Sequence, residues 1–498
     1  MPFPRFAAAP ALAALLAAPS AGLARPSARV PLEPCQLAAP GPSSLRAPAR
    51  CGTFEVPLVE PAPGEPVPAG AKTITLRLAV VESEAPRAER DAVVVLAGGP
   101  GQAATEGHPF MAHALERMAR RRDIVLVDQR GTGGSGKLAC PEVPQPGVGE
   151  SLTPEGERAV VRACAEALAK TTDLDAYGST TFARDLDRVR EALGYEKLDL
   201  VGFSYGTRAA LVYLREFPGR VRTMVLDGVA PFQMVIGGSF EEDGQAALEA
   251  LLARCEAEAG CHGRFPALRQ ELEKLFATLS ASPAKVTVRD ALTAEPRTRS
   301  FGADQLRRVI VAFDYAAESS ALLPPLLHAA AGGDLAPLAG ALQIVASDIE
   351  VTIARPMQLS VLCAEDIPFL GPRREVARAG FLGNRVREEF ENACSVWPVK
   401  PAPAAFREPV RSDVPALLLS GEADPVTPPR WAEMLAKDLP RSRHIVLRGQ
   451  GHGVFFRGCV PRLAAAFVER GSADGLDTSC VERARPSPPF LDASGGSP

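Results

Sequence analysis

Residues 198–211 read LDLVGFSYGTRAAL, with Gly202, Ser204 and Gly206 forming a G-x-S-x-G turn. The apolar run before the turn has the length and composition of a buried strand, and the Ala/Leu-rich run after it has helical spacing. A serine on a strand-to-helix turn of this kind is forced into a strained backbone conformation. Only small residues fit on either side, and the hydroxyl projects above the carboxyl edge of the sheet. Gly202 and Gly206 meet that requirement, and Ser204 is the candidate nucleophile.

Working outward, short β-branched runs recur at Thr73–Val81, Ala92–Leu96, Ile124–Val127, Thr223–Leu226, Ala416–Leu419 and His444–Leu447. Helical stretches lie between several of them, at Phe110–Arg121, Phe182–Leu193 and Arg208–Glu216. Strand–helix alternation predicts an α/β class with a mostly parallel sheet and helices on both faces. The alternation breaks between Ala230 and Pro356, where helical periodicity runs through Gln245–Ala257, Leu268–Leu279 and Ala303–Phe313. The expected organisation is a core in two parts, 72–229 and 357–470, interrupted by a helical cap at 230–356. A Pro/Ala-rich arm at 25–71 precedes the core as a surface wrapping with one extended piece near Thr53–Val59, and a tail at 471–498 follows it.

A serine hydroxyl needs a base to remove its proton at neutral pH. Of six histidines, His452 lies in a Gly-rich loop, Gly449-Gln-Gly-His-Gly453, directly after the last candidate strand. His444 sits inside that strand, His262 beside a cysteine and His328 in an Ala/Leu helix, while His108 and His113 could line a pocket. The carboxylate that orients the imidazole should follow the preceding strand, where Asp424 stands. Its rivals are Glu422 and, at the end of another strand, Asp227. An acyl-transfer intermediate also needs amide donors for its oxyanion. The N–H of Tyr205, just past the nucleophile, supplies one, and the loop Gly98-Gly99-Pro100-Gly101 supplies the other, with Gly99 preferred to Gly98.

Composition sets the outer limits. The chain has 498 residues, 46% hydrophobic and 23% charged, so it can build a large core. Its 55 basic and 59 acidic residues nearly cancel, which excludes nucleic acid as an expected partner and leaves a peptide or small acyl compound. Residues 1–24 have signal-peptide grammar: Arg5, an apolar run from Ala7 to Ala18, and small residues ending at Ala24. The apolar run is too short to span a bilayer, so the protein is expected to be secreted or periplasmic and free of membrane after cleavage. Ten cysteines fit an oxidising compartment. Taken as sequence neighbours they pair Cys35 with Cys51, Cys140 with Cys164, Cys255 with Cys261, Cys363 with Cys394 and Cys459 with Cys480. No CxxC occurs, and neither metal nor organic cofactor is expected. The oligomeric state is left open.

Four motifs together, Gly98-Gly-Pro-Gly101, Asp128-Gln-Arg-Gly-Thr-Gly-Gly-Ser135, Gly202-Phe-Ser-Tyr-Gly-Thr207 and Asp424-Pro-Val-Thr-Pro428, resemble the proline iminopeptidase and tripeptidyl aminopeptidase branch of the α/β-hydrolases. The resemblance runs from about Thr73 to Phe467, and the cysteine-rich long form is closer to exported tripeptidyl aminopeptidases. Ala97 departs from it, standing where the family often has histidine. The resemblance implies an α/β-hydrolase fold, the chain order Ser204, Asp424, His452, and acids that hold the free amino terminus of the substrate. Glu241, Glu242 and Asp243 in the cap, and Glu365 and Asp366 after Cys363, are the candidates. Asp128 and Arg130 are expected to brace the loop beneath the site.

The function expected is a serine aminopeptidase releasing tripeptides, other short peptides or single residues such as proline. The alternatives are an esterase of small acyl esters, which would use the same triad, and an inactive binding protein that has kept the fold.

Overall fold

A computed structural model describes residues 30–41, 43–61, 65, 67–86, 89–140, 143, 152–289, 293–342, 352–372, 381–492 and 495–496. The expected signal peptide lies outside them. The strands of the main sheet and of the cap are β1 (Glu33–Ala38), β2 (Arg46–Pro57), β3 (Thr73–Val81), β4 (Asp91–Leu96), β5 (Ile124–Val127), β6 (Lys197–Phe203), β7 (Val221–Asp227), β8 (Ala284–Arg289), β9 (Pro296–Phe301), β10 (Ala416–Gly421) and β11 (Ser442–Leu447). Nine form one sheet in the order β1-β2-β3-β5-β4-β6-β7-β10-β11. From β5 to β11 all neighbours are parallel, whereas β1, β2 and β3 join antiparallel.

The central stretches of the parallel strands, such as Val93–Leu96, Ile124–Val127 and Leu417–Leu419, are continuously apolar because both faces of the sheet are covered. On one face lie α1 (Ala104–Ala119) and, near the end of the chain, a helix at Val460–Arg470; both join a cluster with Val93, Val95, Leu126, Val201, Val225 and Leu419. The other face carries α2 (Pro154–Ala169), α3 (Ser179–Leu193) and α4 (Tyr205–Glu216), packed on Val94, Leu200, Met224 and Leu418. This is the α/β-hydrolase fold.

The insertion contributes α5 (Phe240–Ala257), α6 (Ala259–Arg264), α7 (Leu268–Ala281), α8 (Ala303–Asp314), α9 (Ala317–Ser320) and α10 (Leu323–Ala331). All of them but α9 contribute to an apolar cluster of their own around Leu248, Leu272, Phe301, Leu306 and Leu327. Beyond it, α11 (Arg355–Glu365) and α12 (Arg385–Cys394) pack back on the core through Met357, Val361 and Phe390. The last two helices are then α13 (Pro429–Ala436) and α14 (Val460–Arg470).

Two expectations need correction. The arm is no mere wrapping, because β1 and β2 extend the main sheet, with Cys35 bonded to Cys51 across the pair. Pro34 and Pro48 conceal these strands in the sequence, although proline is tolerated near a sheet edge. The cap is also not wholly helical, since β8 and β9 form an antiparallel hairpin within it. The remaining cysteines pair Cys140 with Cys164, Cys255 with Cys261, Cys363 with Cys394 and Cys459 with Cys480. No described helix is long and apolar enough to cross a membrane.

Candidate active site

The turn after β6 holds Ser204 at φ 53° and ψ −122°, a conformation that costs a non-glycine residue about 1–3 kcal/mol and persists only when the surroundings fix it. Its backbone is pinned on both sides. The Ser204 N–H donates to Asp227 O at 2.8 Å, and Ser204 O accepts from Thr207 N at 2.9 Å and from Thr207 Oγ1 at 2.6 Å. A Cβ on Gly202 would lie 2.6 Å from Gly206 O, and one on Gly206 would collide with Leu96 O. The glycines allow β6, the first turn of α4 and the end of β4 to close around the serine.

β7 and β10 place the other two members. Asp227 ends β7 and pairs in register with Leu419 of β10, whose strand leads to Asp424. The ring of His452 donates from Nδ1 to Asp424 Oδ2 at 2.8 Å. Asp424 is itself held by Val426 N at 2.9 Å, Thr427 N at 2.8 Å and Thr427 Oγ1 at 2.8 Å. Gly228 lies beneath the ring, where a Cβ would stand 2.8 Å from His452 Cε1. Because Ser204 is bonded to Asp227 and Gly228 supports the imidazole, one corner of β7 brings serine and histidine to the same end of the sheet.

Electrostatics follow from this burial. Burial works to raise the Asp424 carboxyl, but the charge and hydrogen bond of His452 and the N–H groups of Thr427 and Val426 outweigh it, leaving its pKa below the ordinary value. For His452, burial favours the neutral ring, yet Asp424 and, less strongly, Asp227 lift it above its usual value. The rival acids serve elsewhere. Asp227 accepts Val454 N at 3.1 Å and Phe455 N at 2.7 Å, while burial pushes its pKa up to about 6; Glu422 accepts Gly449 N at 2.8 Å. Both anchor the histidine loop by its backbone.

The oxyanion candidates border the serine. Tyr205 is the first residue of α4, where an N–H has no acceptor within the helix. A Cβ on Gly98 would lie 3.2 Å from Ser204 Cβ, so the Gly98–Gly101 loop, with Gly99 at φ 106°, runs directly against the elbow. Asp128 secures this region by accepting Thr105 N at 2.8 Å, Thr105 Oγ1 at 2.9 Å and Gly134 N at 2.9 Å. Arg130 is fully buried against Asp185, Leu58 O and Ala176 O. Both are bracing groups.

The acids expected to bind an amine separate into two groups. Glu365 and Asp366 face protein. Glu365 accepts Ser179 N and Ser179 Oγ, each at 2.6 Å, within a chain that continues through Tyr205 Oη to Gln129, and burial pushes its pKa up to about 7. Asp366 is fully buried and accepts Ile236 N at 2.8 Å and Arg407 at 3.2 Å. Glu365 thus has both oxygens engaged by Ser179, whereas Asp366 accepts through Oδ1 and its buried Oδ2 has no hydrogen-bond partner among the described residues. Asp243 is likewise engaged, by Arg430 and Trp431. Glu241 and Glu242 instead line a cavity of about 360 Å³ with Gln233, Arg387, Arg430 and Trp431. Burial raises the Glu241 carboxyl above its ordinary value, against hydrogen bonds that include one from Arg387 N at 2.9 Å.

Sequence reasoning missed Thr427, Gly228 and Tyr315. Thr427 stands inside the quoted Asp-Pro-Val-Thr-Pro motif, and Gly228 directly follows a strand, so both carried a local signal. Tyr315, whose C=O accepts His452 N–H at 2.7 Å, carried none. Of the other histidines, His108 is buried, His113 is exposed, His328 pairs with Glu271 and His444 with Ser420. Among the described residues no group of His, Cys, Asp and Glu is arranged to hold a metal ion.

The family model described as alpha/beta hydrolase fold matches residues 91–251, which include Ser204, and the one described as TAP-like protein matches 379–480, which include Asp424 and His452. The class is that of α/β-hydrolase-fold serine hydrolases. The chain is 27% identical to serine protease Hip1 of Mycobacterium tuberculosis, over 92% of this chain and 93% of the relative. It is 26% identical to tripeptidyl aminopeptidase of Streptomyces coelicolor, over 89% and 85%. A probable proline iminopeptidase of the same organism is 32% identical over 28% of this chain and 32% of its own. Among solved structures, proline iminopeptidase of Mycobacterium smegmatis aligns over 81% of this chain and 97% of its own, at 16% identity and a TM-score of 0.38. Within its class the chain is a serine peptidase or aminopeptidase-type hydrolase, homologous to Hip1, tripeptidyl aminopeptidase and proline iminopeptidase.

Proposed function

We propose that this protein is an exported serine aminopeptidase that removes short peptides or single residues from free amino termini. The observation that carries the reading is the Asp424–His452 hydrogen bond of 2.8 Å beside a strained serine elbow. Ser204 Oγ attacks the scissile carbonyl while His452 takes its proton. The N–H groups of Gly99 and Tyr205 stabilise the oxyanion, and His452 returns the proton to the leaving amine. Water, activated by the same imidazole, then releases the acyl group.

Specificity for a free terminus needs a carboxylate near the acyl end of the substrate. Glu241 and Glu242 are assigned that role because both line the cavity of about 360 Å³, where Glu241 also accepts Arg387 N and Glu242 lies 3.9 Å from Arg430. A protonated amine there gains charge-assisted hydrogen bonds, whereas a blocked terminus leaves the acid desolvated and unpaired. Export is supported by the signal-like residues 1–24 and the five disulfides, which persist in oxidising compartments.

The test is a panel of tripeptidyl and aminoacyl amides with free amines, the same compounds acetylated, and simple esters of small acids. The proposal expects turnover of the free-amine series, and Glu241→Gln or Glu242→Gln to lower it selectively. Equal rates on blocked amides would remove the requirement for a free terminus, and activity on esters alone would replace the proposal by the esterase reading.

A further inference from the structure

Tyr315 and Phe456 are among the few large apolar side chains left exposed among the described residues, at 39% and 43%. They are not scattered. The Tyr315 ring meets the His452 ring edge-on, with centroids 5.2 Å apart and planes at 72°, and its C=O holds the His452 N–H. Phe456 stacks on Phe203, the residue before Ser204, with centroids 5.4 Å apart and planes at 19°. The segments that carry the two rings are tied together, because Arg457, next to Phe456, forms a bidentate ion pair with Glu318 of α9, which follows Tyr315. An exposed ring from the cap therefore borders the imidazole, and one from the histidine loop stacks on the residue before the nucleophile.

The position of the two rings relative to the reaction identifies what they touch. The imidazole that accepts the serine proton must deliver it to the leaving nitrogen, so the leaving part of the substrate lies against His452. The oxyanion donors belong to a different wall, the Gly98–Gly101 loop and the start of α4. Rings packed on His452 and on Phe203 therefore border the residue after the scissile bond and not the acyl portion. We propose that Tyr315 and Phe456 form the subsite for that residue and select aromatic or large aliphatic side chains there. This rests on the serine peptidase reading and adds a specificity that the triad does not define.

The test uses free-amine peptides that share one amino-terminal sequence and differ only in the residue after the scissile bond, which is Gly, Ala, Leu or Phe. kcat/KM is measured for the native enzyme and for Tyr315→Ala, Phe456→Ala and Tyr315→Phe. The native enzyme is expected to favour Phe over Gly by about tenfold or more, the scale at which hydrophobic pockets discriminate. The ratio should collapse toward one in the two alanine variants and survive in Tyr315→Phe. Taking the ratio within each variant removes any general loss from disturbing His452. A second measurement needs no variant: phenylalanine amide should capture the native acyl-enzyme in competition with water far better than glycine amide does. A native enzyme indifferent to the four residues, or alanine variants that keep the full ratio, would overturn the subsite. If no peptide is cut although a fluorophosphonate labels Ser204, the aminopeptidase reading fails. Benzyl and methyl esters of one acid then decide the subsite by the same ratio.

Discussion

Asp424 and Asp227 hold the same loop by different parts: Asp424 Oδ2 accepts the His452 ring at 2.8 Å, whereas Asp227 accepts the backbone N–H groups of Val454 and Phe455. The two carboxylates therefore have separable consequences. Asp424→Asn should lower turnover by roughly ten-thousand-fold in a folded protein, because an amide favours the wrong imidazole tautomer. Asp227→Asn leaves one backbone N–H facing an amide donor and should lower stability by about 1–3 kcal/mol, with a far smaller loss of turnover. Kinetics and thermal unfolding of both variants separate these roles; the reverse pattern would make Asp227 the orienting acid.

The pH dependence follows from the same pair. Catalysis needs the neutral imidazole, and Asp424 raises the His452 pKa above its ordinary 6.5 despite burial. Activity should rise with pH through a midpoint above 6.5, and Asp424→Asn should move that midpoint down. The stability that His452 gains by holding its proton is complete below 6.5 and is lost as pH rises through the folded value. The Asp424 contribution is present above its ordinary 3.8 and is lost as pH falls through its depressed folded value. Rate profiles of kcat/KM for the two proteins check the direction.

Gly228→Ala should uncouple geometry from chemistry. Its φ is 68°, and the added Cβ would stand 2.8 Å from His452 Cε1 and 3.0 Å from Thr427 Oγ1. The ring must shift, and a displacement of about 1 Å in a catalytic group can cost roughly a hundredfold. The expected result is a folded protein with kcat reduced by about that factor; unchanged kcat would mean that the imidazole does not rest on Gly228 during catalysis.

Glu365→Gln distinguishes a bracing acid from a substrate-binding one. Burial raises Glu365 from its ordinary 4.5 to about 7, so between those values the folded state holds a proton that the unfolded state releases, and stability falls as pH rises. The amide does not titrate and can still meet Ser179 with its oxygen and its NH2. The variant should be more stable relative to native at pH 8 than at pH 5, and should keep its preference for free over blocked termini. A selective loss of free-amine activity would return Glu365 to the amine site.

Much of this architecture is local and therefore legible in sequence. The elbow around Ser204, the Asp424 turn and the His452 loop each follow an apolar strand and consist of small or turn-forming residues, so pattern alone locates them. β1 and the first half of β2 were hidden because proline-rich composition reads as irregular, and no turn motif announces that β1 pairs with β2 and β2 with β3. Glu365 and Asp366 read as free acids because nothing near Cys363 announces that Ser179, Ile236 and Arg407 will enclose them. Tyr315 is a residue of the cap with no motif, and only the docking of α8 on the histidine loop gives it a place beside His452.

The most direct measurement is active-site labelling of the native protein with a fluorophosphonate, read by intact mass and peptide mapping. One adduct per chain, on Ser204, absent from Ser204→Ala and much slower to form in Asp424→Asn, is the predicted result. A folded native protein that takes no adduct, or takes it on another residue, would contradict the assignment of Ser204 as the nucleophile.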